Sequence, residues 1–309
     1  MSAIVKPGEI VSPDTPPSPL RLAPVDTFGH RARRLAQLAP GHAMEDYLTF
    51  MARLAEAQQR LVKDEELAFA TPDHDLALRL RTEGQAPLAA QHWPRARPWQ
   101  HVLRRLLAVV APHAPAATRK VIDALVAAAP KTLETMASRA LRGADPMRDP
   151  VADPLIVAAL QVYWVRMAAA LSTDEIAVSH PSPLCPVCGS APVASVVHGS
   201  GPHQGLRFLH CSLCESEWQL ARIRCSHCDG EKGIAYFSAA HGDTLVRAEA
   251  CDDCHSYLKV IHRDRDAAAD AVADDLASLD LDLALAAEGY ARSGPNLLFV
   301  PGEETRAVN

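Results

Sequence analysis

The chain has 309 residues, of which 48% are hydrophobic and 22% are charged, values that are ordinary for a globular protein of about two domains and exclude a disordered or fibrous chain. Only 5% of the residues are aromatic, so the apolar content favours helices over strands. The formal net charge of −6 is uneven, because residues 1–180 carry +2 and residues 181–309 carry −8.

The N-terminal segment, residues 1–27, contains six prolines and little to bury, which predicts a flexible arm. The sequence shows neither the basic and apolar regions of a secretory signal nor an apolar run of the roughly 18 residues that a membrane span needs. We therefore expect a cytoplasmic protein without a membrane span.

Residues 28–180 are predicted to form an all-α domain of about six helices, because their apolar residues recur at helical spacing. In the first predicted helix, residues 44–63, Tyr47, Met51 and Leu54 fall on one face. The other helices are predicted over residues 73–82, 98–111, 116–129, 131–141 and 153–171. The last one is apolar on nearly all sides, which predicts a position at the centre of the bundle.

One cluster in the helical domain combines arginines with tryptophans. Its members are Trp93, Arg95, Arg97, Trp99, Arg104 and Arg105. Such a cluster is typical of a nucleic-acid surface, but a solvated helix face or a contact with an acidic partner explains it as well. The sequence contains no Gly-rich phosphate loop, Gly-x-Ser-x-Gly elbow or His-Glu-x-x-His motif, so catalytic machinery of these types is not expected.

All eight cysteines lie beyond residue 184, and each belongs to a Cys-x-x-Cys pair. The pairs are Cys185/Cys188, Cys211/Cys214, Cys225/Cys228 and Cys251/Cys254. The last four cysteines repeat the first four at an offset of 40 residues, with 22 residues between the pairs of each unit. Thiolates at this spacing are the usual ligands of a metal ion, whereas disulfides are improbable in a reducing compartment. The repeat favours one ion on the first two pairs and another on the last two, over an interleaved arrangement.

Each four-cysteine unit is predicted to be a small rubredoxin-like or zinc-ribbon module, the first over residues 181–220 and the second over residues 221–262. Strands are expected at residues 193–197 and 206–209 in the first unit, and at residues 233–237 and 244–248 in the second. Such a small fold buries little apolar surface, so the ion is expected to stabilise it. Four thiolates suit zinc and iron equally, which leaves the metal open.

The C-terminal segment, residues 263–309, is predicted to be an acidic helix with a tail that packs on the body. The helix is expected over residues 267–290, with Leu276, Leu279 and Leu283 on its apolar face. Its acidic residues are expected to face either solvent or a partner.

Four motifs in the C-terminal third together carry a resemblance. They are Cys185-Pro186-Val187-Cys188-Gly189-Ser190, Arg224-Cys225-x-x-Cys228, Glu249-Ala250-Cys251-x-x-Cys254-x-x-Tyr257-Leu258-Lys259, and Ala273-Asp274-Asp275-Leu276-Ala277 with Glu288-Gly289-Tyr290. This combination resembles the FdhE family of formate dehydrogenase accessory proteins. The helical part matches that family in length and character only.

The resemblance implies a cytoplasmic maturation factor that is not an enzyme, binds the catalytic subunit of respiratory formate dehydrogenase before export, and is needed for its activity. It also implies two tetrathiolate ions on the eight cysteines, with iron favoured and zinc as the alternative, and a partner contact at Asp274 and Asp275. A homodimer is compatible with the sequence. The competing hypotheses are a zinc-ribbon protein that binds nucleic acid, which the acidic charge disfavours, and a thiol-redox protein, which would carry one Cys-x-x-Cys pair rather than four.

Overall fold

The computed structural model describes residues 18–301 apart from 66, 68–71, 96, 143–146, 173–175, 177–181 and 240–243. The helices of this part are α1 Thr27–Leu38, α2 Glu45–Val62, α3 His74–Thr82, α4 Pro98–Val110, α5 Ala116–Ala127, α6 Pro130–Ala140, α7 Ala152–Ala169, α8 Ala273–Leu276 and α9 Leu279–Ala287. Its strands are β1 Leu20–Arg21, β2 Pro192–Val197, β3 Arg207–Cys211, β4 Glu217–Gln219, β5 Ile234–Phe237, β6 Val246–Cys251, β7 Ser256–His262 and β8 Ala291–Arg292.

Helix α7 forms the centre of the helical domain, as its apolar character predicts. Sixteen of its eighteen residues are buried, and it packs against α2, α4 and α6. Gln58 of α2 donates a hydrogen bond to the carbonyl of Ala158 and another to the side chain of Gln161, each at 2.9 Å. The six predicted helices correspond to α2–α7, with every end within two residues of its predicted place. No helix in the described ranges has the length and apolar character needed to cross a membrane.

The N-terminal segment is more ordered than predicted. Strand β1 pairs antiparallel with β4, and α1 begins at Thr27, so part of the predicted arm, from residue 20 to residue 27, belongs to the fold. Helix α1 was not among the predicted helices because two of its inward-facing residues, Arg31 and Arg34, are charged. Residues 1–17 of the predicted arm lie outside the described residues.

The arginine and tryptophan cluster does not form an aromatic surface. Trp93 and Trp99 are buried. The indole of Trp99 donates to Glu134 at 2.6 Å, and Arg95 donates to the same carboxylate at 3.0 Å. These side chains therefore fasten α4 and the loop before it to α6, so the two tryptophans are not available to stack on nucleic acid.

Both cysteine units belong to one eight-stranded sheet with the order β1-β4-β3-β2-β7-β6-β5, in which β8 also pairs with β7. The predicted hairpins are present as β2–β3 and β5–β6. They are joined where β2 and β7 run parallel, with Ser195 opposite Val260. The two modules are therefore continuous in the sheet rather than two small folds side by side.

The predicted helix over residues 267–290 is wrong in its continuity. The structure has two short helices, α8 and α9, with a turn at Ala277 and Ser278. The buried ammonium group of Lys259 donates hydrogen bonds to the carbonyl oxygens of Asp275 and Ser278 at 3.0 and 2.8 Å. The lysine thus satisfies these two carbonyls at the turn between α8 and α9. The predicted tail beyond residue 301 lies outside the described residues.

Candidate metal centre

Each Cys-x-x-Cys pair lies in a tight turn that ends in a left-handed residue. This residue directly follows the second cysteine, and its φ is 72° at Gly189, 60° at Glu215, 64° at Asp229 and 51° at His255. Only the first is glycine, yet all four turns share the conformation. Amide groups inside the turns point at the first sulfur of the pair, as with the amide nitrogens of Leu213 and His227, each 3.4 Å from a cysteine Sγ.

The turns bring the cysteines together as two groups of four. The first quartet is Cys185, Cys188, Cys211 and Cys214, and the second quartet is Cys225, Cys228, Cys251 and Cys254. Within each quartet the four sulfurs lie within 4.8 Å of one another. Sequential grouping of the pairs, which the 40-residue repeat favours, is thus the grouping in the structure.

The sulfur separations fit a tetrahedral ion. A metal–sulfur bond of about 2.3 Å places the sulfurs of a regular tetrahedron about 3.8 Å apart, whereas a disulfide needs about 2.0 Å. The cross-turn separations are 3.5 and 3.4 Å in the first quartet and 3.7 and 3.8 Å in the second. All eight cysteines are free thiols in this geometry. Four sulfurs per group, with no oxygen or nitrogen ligand required, suit zinc or iron.

The first quartet is enclosed by the helical domain. The amides of Leu88 and Ala90, in the loop after α3, donate to the carbonyls of Val187 and Cys188 at 3.0 and 2.9 Å. On the other turn, Gln161 of α7 donates to the carbonyl of Ser212 at 2.9 Å. Burial raises the pKa of the Cys185 and Cys211 thiols well above its ordinary value. At Cys188 burial acts in the same direction, but hydrogen bonds with the other three cysteines lower its pKa well below the ordinary value.

A buried charge network borders the same quartet. Arg31 of α1 donates to Glu215 and, at 3.2 Å, to Asp270. His210 donates from one ring nitrogen to Glu215 at 2.8 Å and from the other to Glu217 at 3.2 Å. Burial alone would lower the pKa of His210, but these two carboxylates raise it to about 9. His210 is therefore an imidazolium that holds two carboxylates and is not an additional metal ligand.

The second quartet is closer to solvent. Cys228 is exposed and Cys254 is half-buried, whereas every cysteine of the first quartet is at most 1% exposed. One of its turns, at Cys251–Cys254, is contacted by the C-terminal segment: Tyr290 donates to Asp252 at 2.6 Å and stacks at a tilt on His255. The repeat in the sequence gives no sign of this difference, which arises because the helical domain covers one unit only.

The predicted partner contact at Asp274 and Asp275 is corrected by their burial, at 2% and 0% exposure. Asp274 accepts hydrogen bonds from Arg34, the shortest at 2.6 Å. Asp275 accepts from Arg292 at 2.6 Å and from Asn296 at 2.8 Å. Both carboxylates are saturated by interior donors, so they hold α8 against the body rather than face a partner.

Three family models match the chain in succession. The model described as FdhE, N-terminal, matches residues 16–180, the FdhE central domain matches residues 184–222, and the FdhE C-terminal domain matches residues 223–299. The last boundary falls between the two quartets, inside the continuous sheet.

Whole-chain comparisons agree with these models. Over 280 residues the chain is 41% identical to a protein described as Protein FdhE homolog from Edwardsiella ictaluri, with 89% of each chain covered. The homolog from Yersinia pestis is 40% identical over 284 residues, again with 89% of each chain covered. The crystal structure of the FdhE protein from Pseudomonas aeruginosa superposes with a TM-score of 0.83 at 38% identity, covering 92% of this chain and 99% of that one. The chain belongs to the FdhE family.

Proposed function

We propose that this protein is a maturation factor that binds the catalytic subunit of respiratory formate dehydrogenase in the cytoplasm and is required for its activity. It does not itself catalyse formate oxidation. It carries two tetrathiolate ions, with iron favoured over zinc. Membership of the FdhE family supports the link to formate dehydrogenase, and the two complete cysteine quartets support the metal content.

The observation that carries the proposal is that the first quartet is built into the helical domain. Hydrogen bonds from Leu88, Ala90 and Gln161, together with the Arg31–Glu215 ion pair, connect its turns to three helical-domain segments. A bound ion would cross-link the two turns and, if it is iron, would add a one-electron couple. These hydrogen bonds and the ion pair hold the helical domain against the sheet. A partner can therefore recognise the two parts as one rigid surface.

The alternatives have less support. A nucleic-acid surface would need exposed aromatic and basic side chains, but Trp93 and Trp99 are buried and Arg95 is paired with Glu134. A thiol oxidoreductase would need one accessible cysteine pair at a helix N-terminus. Here the eight cysteines lie in turns and at strand ends of the sheet and are grouped in fours.

The test is complementation of a bacterial strain that has a respiratory formate dehydrogenase and lacks the gene for this chain. We expect the wild-type chain to restore formate-dependent dye reduction in membranes and to retain the dehydrogenase catalytic subunit when it is affinity-purified. Purified alone, the chain should show no formate oxidation. Metal analysis of the same preparation should give close to two ions per chain, as its two quartets require.

A matched pair of variants tests whether complementation depends on the bound metal. Cys188→Ser should lose one of the two ions together with complementation, whereas Ser200→Ala, an exposed loop substitution, should behave as wild type. Full dehydrogenase activity in the deletion strain, or no retention of the subunit by the wild-type chain, would contradict the proposal.

A further inference from the structure

We propose that the two quartets differ in ion exchange: the second quartet releases its ion to small chelators in solution, with Cys228 as the point of attack, while the first quartet retains its ion. The inference rests on the metal binding proposed above and adds that the two sites differ in how readily they exchange their ion. The second quartet is then the site whose metal occupancy changes with the chelators present in solution.

The first argument is access to the sulfurs. Cys185 is 1% exposed and the other three cysteines of the first quartet are 0% exposed, so an incoming ligand meets protein on every side. In the second quartet, Cys228 is exposed and Cys254 is half-buried. Replacement of a thiolate begins with approach of the incoming ligand, and the shell around a site controls that approach.

The second argument concerns the contacts that must break before an ion can leave each quartet. The turns of the first quartet are bonded to the helical domain through the amides of Leu88 and Ala90 and the side chain of Gln161. Opening this quartet therefore requires the sheet to separate from α7 and from the loop after α3. Such an opening approaches global unfolding in free energy.

The turns of the second quartet are held by more exposed groups. Arg224 pairs with Asp229 and Glu231, whose side chains are 58% and 65% exposed. Solvent screens ion pairs in such exposed positions, so they hold the turn only weakly. The opposite turn is contacted by Tyr290, which bonds to Asp252 in an exposed position. Local opening of these turns leaves the helical domain intact, so it costs less than opening the first quartet.

The exchange is a ligand substitution without electron transfer. The chelator binds the ion as the four thiolates leave it one after another, starting at Cys228. Each sulfur that is released takes up a proton from water, and the ion leaves as the chelate.

The experiment uses the full chain loaded with zinc, after two ions per chain have been measured. Excess 4-(2-pyridylazo)resorcinol is added and its zinc complex is followed by absorbance. We expect two phases of equal amplitude, one ion each, with rate constants that differ by about tenfold or more. Two ions that leave in one phase would overturn the inference and leave the proposed metal binding intact. A chain that takes up neither zinc nor ferrous iron would instead refute the metal binding.

Labelling identifies which quartet is the fast one. Brief treatment of the zinc-loaded wild-type chain with iodoacetamide, followed by peptide mass spectrometry, should modify Cys228 first and leave the first quartet unmodified. Modification of Cys185, Cys188, Cys211 or Cys214 before Cys228 would overturn the inference.

The matched variants are Cys228→Ser and Cys188→Ser, which occupy the same position of the repeat. Cys228→Ser should remove the fast phase and preserve the slow one. Cys188→Ser should reduce the slow ion, and since it removes a buried ligand, its far-ultraviolet circular dichroism is recorded alongside. Loss of the slow phase in Cys228→Ser would overturn the assignment, and the labelling result stands even where Cys188→Ser fails to fold.

Discussion

Arg31 of α1 forms a buried ion pair with Glu215, the left-handed residue that closes the second turn of the first quartet. The two residues are 184 positions apart and both side chains are fully excluded from solvent. The pair connects helix α1 directly to a metal-binding turn. Stability of the helical domain and integrity of the first quartet are therefore linked.

Arg31→Met should destabilise the protein strongly, because it leaves Glu215 as a buried carboxylate that has lost its guanidinium partner. Removing one member of a buried pair costs about 3–5 kcal/mol. Urea unfolding followed by circular dichroism measures this free energy. The double variant Arg31→Met/Glu215→Gln should recover part of the loss, since no unpaired charge then remains on Glu215.

The control for this prediction is Arg33→Met on the same helix. Arg33 pairs with Asp26 in an exposed position, at 62% and 51% side-chain exposure, so its loss should change the unfolding free energy by less than about 1 kcal/mol. Equal effects of the two variants would show that burial of the Arg31–Glu215 pair is unimportant.

Asp275→Asn should lower stability rather than partner binding. The carboxylate accepts from Arg292 and Asn296 and lies 3.3 Å from the buried Lys259 ammonium, so its charge balances two cations. Its neutralisation should cost about 3 kcal/mol or more. Asp280→Asn is the matched control, since Asp280 is exposed on α9. A variant that folds with wild-type stability but no longer retains the dehydrogenase subunit would restore the partner-contact interpretation.

Gly189→Ala should cost about 1–2 kcal/mol for conformational reasons alone. The residue has a φ of +72°, and an added Cβ would lie 3.9 Å from the Cβ of Ala86, which is ordinary contact. Gly41→Ala is matched in φ, at +74°, and has open space around it. Both variants should lose similar stability in thermal unfolding, but only Gly189→Ala should speed metal release from the first quartet. The same release rate in both would contradict the prediction.

Metal affinity of the first quartet should increase with pH. Burial raises the pKa of the Cys185 and Cys211 thiols, so an ion that binds must displace protons from them. The Cys225→Ser variant, in which the second quartet is incomplete, isolates the first. Competition with a chelator at a pH of about 6 and about 8 should show tighter binding at the higher pH. An affinity independent of pH would contradict protonated thiols in the metal-free protein.

Local sequence patterns were sufficient for the helices whose buried faces are apolar. Helix α4, for example, buries Val102, Leu103, Leu106 and Leu107 at helical spacing. The cysteine grouping followed from the repeat, because identical spacing in two units closes each unit on itself. These features depend on residues that are near each other in the chain.

Features that depend on distant charges could not be predicted in this way. Helix α1 places Arg31 and Arg34 inward because their partners, Asp270 and Asp274, lie more than 230 positions later. The same pairing buries Asp274, which the local pattern assigns to a solvent face. A buried charge looks like a surface charge until its counter-ion is known, so neither the helix nor the burial has a local signal.

The parallel pairing of β2 with β7 makes each cysteine unit cover a strand edge of the other. A fragment that ended after residue 222 would lose β7 and leave one edge of β2, from Ser195 to Val197, with open amides and carbonyls. Such an edge is a template for association with other chains. Deleting either unit would therefore leave an adhesive edge on the one that remains, so the sheet needs both units whether or not both exchange metal.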